Sequence, residues 1–229
     1  MVGVVAVAVI PARGGSQRIR HKNIVDFGAR PLIDWTIDAA LESGRFDAVI
    51  VSTDDPEIEA IANRRDVIIH KRLNHADSMA PVSMATIDAL SWVPSELGPP
   101  GTVVQLMPSC PLRTAADINQ SLDDFHRSGA PSQISCADFG HQSVWWTNIV
   151  DEHGQWTPLF PDSLKMRSQD LPQAYCPSGA VWIARREALV QEGTFYCSGH
   201  TMRELSWESA FDIDTPEDLE IARKLKASS

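Results

Sequence analysis

Four cations, Arg13, Arg18, Arg20 and Lys22, fall within ten residues of the stretch "VIPARGGSQRIRHKNI" (9–24), and no acid stands among them. The Gly14-Gly15 pair lets the backbone approach a ligand closely, Ser16 adds a hydroxyl, and Arg13 and Lys22 carry the charge to neutralise a triphosphate. Such a loop suits a compact anion, although a plain solvated basic loop has the same composition. It matches neither G-x-x-x-x-G-K-[ST] nor G-x-G-x-x-G, which excludes the P-loop and the dinucleotide fingerprint. Near the other end, "FDIDTPED" (211–218) carries Asp212 and Asp214, whose side chains share one side of an extended segment. Two carboxylates so placed suit magnesium, which takes oxygen ligands and retains waters and substrate phosphates. The bland alternative is that Asp214 merely precedes a helix cap at Thr215. "VSTDD" (51–55) and "LMPSCPLRT" (106–114) raise the same choice: Ser52, Asp54, Ser109 and Arg113 either face one crevice or make ordinary turns and caps. The histidines form no H-x-x-x-H or H-E-x-x-H pattern and G-x-S-x-G is absent, so zinc proteases and serine hydrolases of the usual types are excluded.

The elements that must position these residues alternate. Val4 to Ile10 is apolar throughout and rich in β-branched residues, as a strand covered on both faces would be. Pro31 to Glu42 then shows helical spacing through Ile33, Ile37, Ala40 and Leu41 before Gly44. Ala48 to Ser52 reads as a strand, followed by a helix with Asp55 as N-cap, Pro56 at its first position and Glu57 and Glu59 in its first turn. Further on come a strand at Val67 to His70, a helix around Ser83 to Trp92, a strand at Thr102 to Met107 and a helix from Ala116 to Arg127 capped by Thr114. This order predicts an α/β fold, Rossmann-like, with a mostly parallel sheet. In such sheets ligands bind outside the carboxyl ends of the strands, where the basic loop falls. After about residue 138 the pattern weakens. Gln142 to Trp156 holds three of the seven tryptophans and a hairpin turn near His153-Gly154, and Pro158 to Pro177 is irregular. The stretch 140–177 reads as an arm inserted in a single domain spanning 1–229. Ala180 to Ala184 returns to strand, Arg186 to Glu192 to helix and Phe211 to Ile213 to a short strand, and Thr215 opens a closing amphipathic helix.

The 229 residues, 43% hydrophobic, suffice for one buried core. A net charge of -10 argues against general binding to nucleic acid or membrane surfaces, which requires broad positive potential. The four cysteines contain no C-x-x-C pair and read as reduced, mostly buried thiols of a cytoplasmic protein. The apolar start lacks a basic leader and a small-residue cleavage site, and no run reaches the length of about 20 residues that a spanning helix needs.

Taken together, "IPARGGSQRIRHKNI", "IVSTDD", "LMPSCPLR", "LPQAYCPSGAVWI" and "FDIDTPEDL" stand in the order and spacing of the acylneuraminate cytidylyltransferases, the CMP-sialic acid synthetase family, and the resemblance covers nearly the whole chain. It implies coupling of CTP to a nine-carbon 2-keto sugar acid, with release of pyrophosphate, by a magnesium-dependent homodimer whose arm reaches the partner subunit. By the same resemblance Arg13, Ser16, Lys22 and Asn23 bind nucleotide, as do Arg72 in "KRLNHADS" and Ser83. Asp212 and Asp214 hold the metal, and Lys22, Arg13 and Asp212 carry catalysis. Ser109, Arg113, Gln173, Tyr175 and Gly179 line the sugar side. Departures from the family pattern are Gln17 for a frequent Lys, Met107 for Gln, Ser168 for Arg, Cys176 for Arg and Ser178 for Asn. Arg18 or Arg20 would compensate at Gln17, and Arg167 at Ser168. These changes gather on the sugar side and leave an eight-carbon or diacetamido acid as alternative substrates.

Overall fold

A computed structural model describes residues 4–74, 81–139 and 143–228. The second half of "KRLNHADS" and the start of the expected arm therefore lie outside the described residues. The central strand β1, Ala6–Pro11, is buried along its whole length. It pairs in parallel with β2, Ala48–Thr53, on one side and β4, Thr102–Gln105, on the other. Beyond β2 lies β3, Ile68–Lys71, also parallel. The sheet continues through β8, Tyr175–Arg185, then β5, Ser132–Asp138, and ends at β9, Thr201–Glu204, giving the order β3-β2-β1-β4-β8-β5-β9. Strand β8 runs antiparallel to both neighbours, while β9 is parallel to β5. The mostly parallel sheet expected from the sequence is thus present.

Alternation along β1 divides the core. Ala8 and Ile10 face α1 (Leu32–Ser43), α2 (Pro56–Ala62) and α4 (Ala115–Ser128) through Ile33, Ile37, Ile58, Ile118 and Leu122. On the other face Val7 and Val103 meet Leu189 of α5 (Arg186–Glu192) and Ile87 of α3 (Val82–Ala89). Each fully buried aliphatic side chain stabilises this sandwich by about 1.5–3 kcal/mol. The predicted caps form: the Asp55 carboxylate accepts from the N–H groups of Glu57 and Ile58, and Thr114 makes a reciprocal capping box with Asp117.

Four differences from the sequence reading stand out, three of them with a clear physical cause. Strand β5 was not expected, because its buried Ser132, Gln133 and Ser135 hide the apolar alternation of a core strand. Edge strand β9 alternates only partly buried with exposed residues and gives no hydrophobic signal. Phe211 to Ile213 forms no strand; the Ile213 N–H bonds the Ser109 carbonyl at 2.8 Å, so the segment is pinned to a loop. Strand β8 also begins five residues before the expected Ala180.

The helix α6, Pro216–Ser228, packs Leu219 and Ala222 with Phe27, Leu32 and Ile213, which carries Asp212 and Asp214 toward the basic loop. Outside the main sheet, β6 (Asn148–Val150) and β7 (Trp156–Pro158) form a hairpin whose turn is closed by Asp151 Oδ1 accepting from the N–H groups of His153 and Gln155. The hairpin turn predicted at His153-Gly154 is thereby present. Among the described residues no helix is long and apolar enough to cross a membrane.

Candidate active site

The basic loop is tied down at both ends. Where it leaves β1, the Ala12 N–H donates to the Ser52 carbonyl at 2.8 Å, and the Gly14 N–H donates to Asp54 Oδ1 at 2.9 Å. A Cβ on Gly14 would lie 2.4 Å from the carboxylate of Asp55, the α2 cap, so only glycine fits this approach. At its far end the chain makes one 3-10 turn, Lys22–Ile24, and the buried Asn23 amide reaches back to the Arg13 carbonyl at 2.9 Å. Asn23 therefore braces the loop from inside.

This loop, the segment after β4 and the stretch before α6 enclose a cavity of about 360 Å3, lined by Arg13, Ser16, Arg18, Lys22, Ser109 and Asp214 among others. Lys22 Nζ donates to the Ile213 carbonyl at 2.7 Å and to Asp214 Oδ1 at 3.2 Å, and Arg18 Nη2 reaches the same oxygen at 2.8 Å. The two cations hold Asp214 against the basic loop across almost the full length of the chain. Asp218 fixes the turn beneath, accepting from the N–H groups of Asp214 and Thr215, and these bonds hold its carboxyl below the usual range. Asp212 keeps an exposed edge but is otherwise crowded by protein. That crowding pushes its carboxyl above the usual value, the Ser109 hydroxyl bond pulls it back, and Asp214 pushes it up again.

Asp212 and Asp214 offer hard oxygen donors beside a cavity wide enough for phosphates. Among the described residues no group of three or more His, Cys, Asp or Glu converges on a single point. The pair therefore fits a cation that completes its shell with water and phosphate oxygens, as magnesium does, and does not fit an all-protein cage.

The remaining predicted residues divide. Ser109 is buried in the cavity wall and bonded to Asp212. Gly179 meets the same wall from behind, since a Cβ there would lie 2.7 Å from Met107 Cγ. Arg113 is 2% exposed and acts as an internal brace: Nη1 donates to the Ala180 carbonyl at 3.0 Å and Nη2 to Thr36 Oγ1 at 2.6 Å. Burial lowers its pKa to about 10, so it stays charged at neutral pH. Arg72 is likewise buried and grips Ser52, while the Ser83 hydroxyl donates to the Gly193 carbonyl at 2.7 Å. Neither lines the cavity. Arg167 is paired with Asp170 at 2.7 Å, Gln173 contacts Asp138 at 3.5 Å and Tyr175 bonds Glu204, all three outside the cavity.

Of the departures, Gln17 lines the cavity with Arg18 beside it, whereas Arg20 does not. Met107 forms part of the wall, Ser168 lines a separate cleft with Gln173, and Ser178 is buried in a bulge of β8. Cys176 is exposed, against the expectation of burial that holds for the other three cysteines. Sequence reasoning did not single out Pro11, Ile19 or Pro108 as wall residues, because an apolar residue beside a motif looks like any core residue.

Residues 7–228 match the family model described as cytidylyltransferase. The chain belongs to this cytidylyltransferase family. Membership makes it a nucleotidyltransferase, in keeping with a cation-lined cavity at the carboxyl ends of β1 and β4. It is 31% identical to the pseudaminic acid cytidylyltransferase of Campylobacter jejuni subsp. jejuni serotype O:23/36 (strain 81-176), over 95% of this chain and 94% of that one. To the N-acylneuraminate cytidylyltransferase of Streptococcus agalactiae serotype V (strain ATCC BAA-611 / 2603 V/R) it is 28% identical, over 93% of this chain and 51% of the other. The solved structure of a CMP:2-keto-3-deoxy-manno-octonic acid synthetase complexed with CTP shares the fold, with a TM-score of 0.73 at 18% identity over 98% of this chain and 99% of that one.

Proposed function

We propose that the protein couples CTP to a nonulosonic, sialic-acid-like 2-keto sugar acid, giving the CMP-sugar and pyrophosphate. The observation that carries this reading is the cavity in which Arg13, Arg18 and Lys22 gather opposite Asp214. The relatives named for pseudaminic acid and N-acylneuraminate support the acid class, and the first favours a second reading, a diacetamido member of that class. In the reaction the anomeric hydroxyl oxygen attacks the α-phosphorus in line. The bond from that phosphorus to the pyrophosphate oxygen breaks, and the hydroxyl proton is lost. Arg13 and Lys22 neutralise charge on the triphosphate, and Ser109 orients Asp212. A magnesium ion held by Asp212 and Asp214 would supply further neutralisation of the phosphates. Arg167, Gln173, Tyr175 and Gly179 are assigned to the sugar side on the strength of the sequence motif. The protein acts in the cytoplasm, the compartment that holds CTP.

A homodimer is part of this proposal. The hairpin strands have three residues each, too short to be stable alone, yet Trp156 is 73% exposed beside exposed Ile149, Val150 and Leu159. An apolar surface of this kind favours a second copy as its cover.

Pyrophosphate release with CTP and magnesium, across sialic, diacetamido-nonulosonic and eight-carbon acids, tests the reading. Release is expected with one nonulosonic acid, and Asp212→Asn is expected to lower it by roughly 100-fold or more without loss of fold. Release with none of these acids, or a fully active Asp212→Asn protein at limiting magnesium, would overturn the assignment.

A further inference from the structure

Ser52 is fully buried at the end of β2 and is the junction of two strands and the basic loop. Its carbonyl accepts from the Ala12 N–H and from Arg72 Nη2, both at 2.8 Å, and its hydroxyl lies 3.2 Å from Arg72 Nε. Arg72 is thus gripped at two points by one residue, and its charge acts on those of Asp54 and Arg13. On the other side of the hydroxyl stands His70 Nδ1, at 2.9 Å, in a ring that is 3% exposed. The groups facing that ring are Ser52 from β2, Arg72 just after β3, Asp88 Oδ2 from α3 at 3.4 Å from Nε2, and Trp92 at 5.7 Å between centroids.

The Asp88 carboxylate gives this chain its direction, because an acceptor facing Nε2 keeps the neutral ring's single proton on that nitrogen. Arg72 Nε–H can only donate, so the Ser52 oxygen accepts it and the hydroxyl proton is free to point at His70 Nδ1. With Nδ1 as acceptor, the neutral ring carries its proton on Nε2, toward Asp88. A proton on Nδ1 would make the Ser52 oxygen accept from both Arg72 and His70, turn its hydroxyl proton away from the ring and, in the imidazolium, place a second cation in the cluster that holds Arg72.

We infer that Ser52 and His70 form a buried positioning relay for Arg72, which stands outside the cavity wall but whose charge acts on Arg13 within it, and that the relay holds Arg72 in place only while His70 is neutral. This rests on the CTP reading above. Burial lowers the His70 pKa below 6.5 and outweighs the opposing pull of Asp88, so the relay is intact at neutral pH and fails as the medium becomes acidic.

The test is calorimetric CTP affinity with magnesium, between about pH 5.5 and 7.5, for the wild type, His70→Gln and Ser52→Ala. The γ-phosphate also titrates in this range, so the quantity read is the difference between proteins. The wild type is expected to lose roughly fivefold more affinity on acidification than His70→Gln, whose amide oxygen accepts from Ser52 without titrating, and Ser52→Ala to bind several-fold more weakly at every pH. A second measurement needs no variant to fold. By reciprocity, CTP must lower the His70 titration midpoint seen by imidazole NMR, because the ligand favours the neutral ring. Equal pH responses in wild type and His70→Gln, or a midpoint that CTP leaves in place, would overturn the relay while the CTP reading stood. Wild type that binds no CTP at pH 7.5 would overturn the CTP reading and the relay with it.

Discussion

Lys22 and Arg113 are both cations of predicted site motifs, yet their surroundings give them opposite jobs. Lys22 points into the cavity and shares Asp214 with Arg18, so its charge is available to phosphate at the loss of one bridging contact. Lys22→Ala is expected to lower the rate of pyrophosphate release by about 100-fold, as removal of a charge-stabilising group does, at a stability loss of about 1 kcal/mol for its bond to the Ile213 carbonyl. Arg113 spends its hydrogen bonds on Ala180 and Thr36 inside the protein. Arg113→Ala leaves buried acceptors unpaired and should cost about 3 kcal/mol, seen as a clear fall in melting temperature by calorimetry. If Arg113→Ala instead kept its melting temperature and lost only affinity for the sugar acid, the brace assignment would be wrong.

Among the elements, β8 and its bulge shape the cavity wall at Met107. Between the pairs Ile134–Trp182 and Cys136–Pro177 the register slips, and the looped-out residues are held by Ser135, whose hydroxyl bonds both the Ser178 carbonyl and the Val181 N–H at 2.9 Å. The bulge drives Gly179 against Met107, with the Met107 N–H donating to the Gly179 carbonyl. Gly179→Ala must displace Met107 into the cavity, and is expected to raise KM for the acid while KM for CTP changes little. Adding Met107→Ala removes the 2.7 Å contact with Cγ, leaving only the Met107 Cβ at 3.0 Å to give by a few tenths of an ångström, and should restore the acid KM to within about threefold of that of Met107→Ala alone, the coupling expected of contacting residues. Additive effects in the double variant would show that the two side chains do not meet. Helix α6 is a second such element: Lys226 sits 4.1 Å over the Trp35 ring, which helps seat the helix that delivers both aspartates.

At the scale of the molecule, an acidic chain gathers positive charge at one end of the sheet, where the loop after β1 and the segment before α6 meet. That arrangement selects small anions over polyanions. The exposed hairpin belongs to the same scale, because its apolar side chains have no cover in a single chain. Trp156→Glu is expected to convert the proposed dimer to monomer in sedimentation velocity while leaving the thermal unfolding of the main sheet in place, since Trp156 contributes nothing to the core. A variant that sedimented as the wild type does would remove the hairpin from the interface.

The sequence by itself determined the alternation of strands and helices, the Asp55 and Thr114 caps and the basic loop. These follow from local rules: periodicity, capping chemistry and charge spacing are carried by residues within a few positions of one another. Strand β5 escaped because its buried serines and glutamine find partners, such as Ser178 and the Ser121 carbonyl, that lie far away in the chain. The same limit governed the site. Arg18, Lys22 and Asp214 can be named from their motifs, but whether a cation in such a motif faces a cavity or a buried carbonyl depends on strands more than 60 residues distant, as Arg113 and Ala180 show. Tertiary structure alone decided that division, because desolvation and hydrogen-bond satisfaction are settled by packing and leave no period in the sequence.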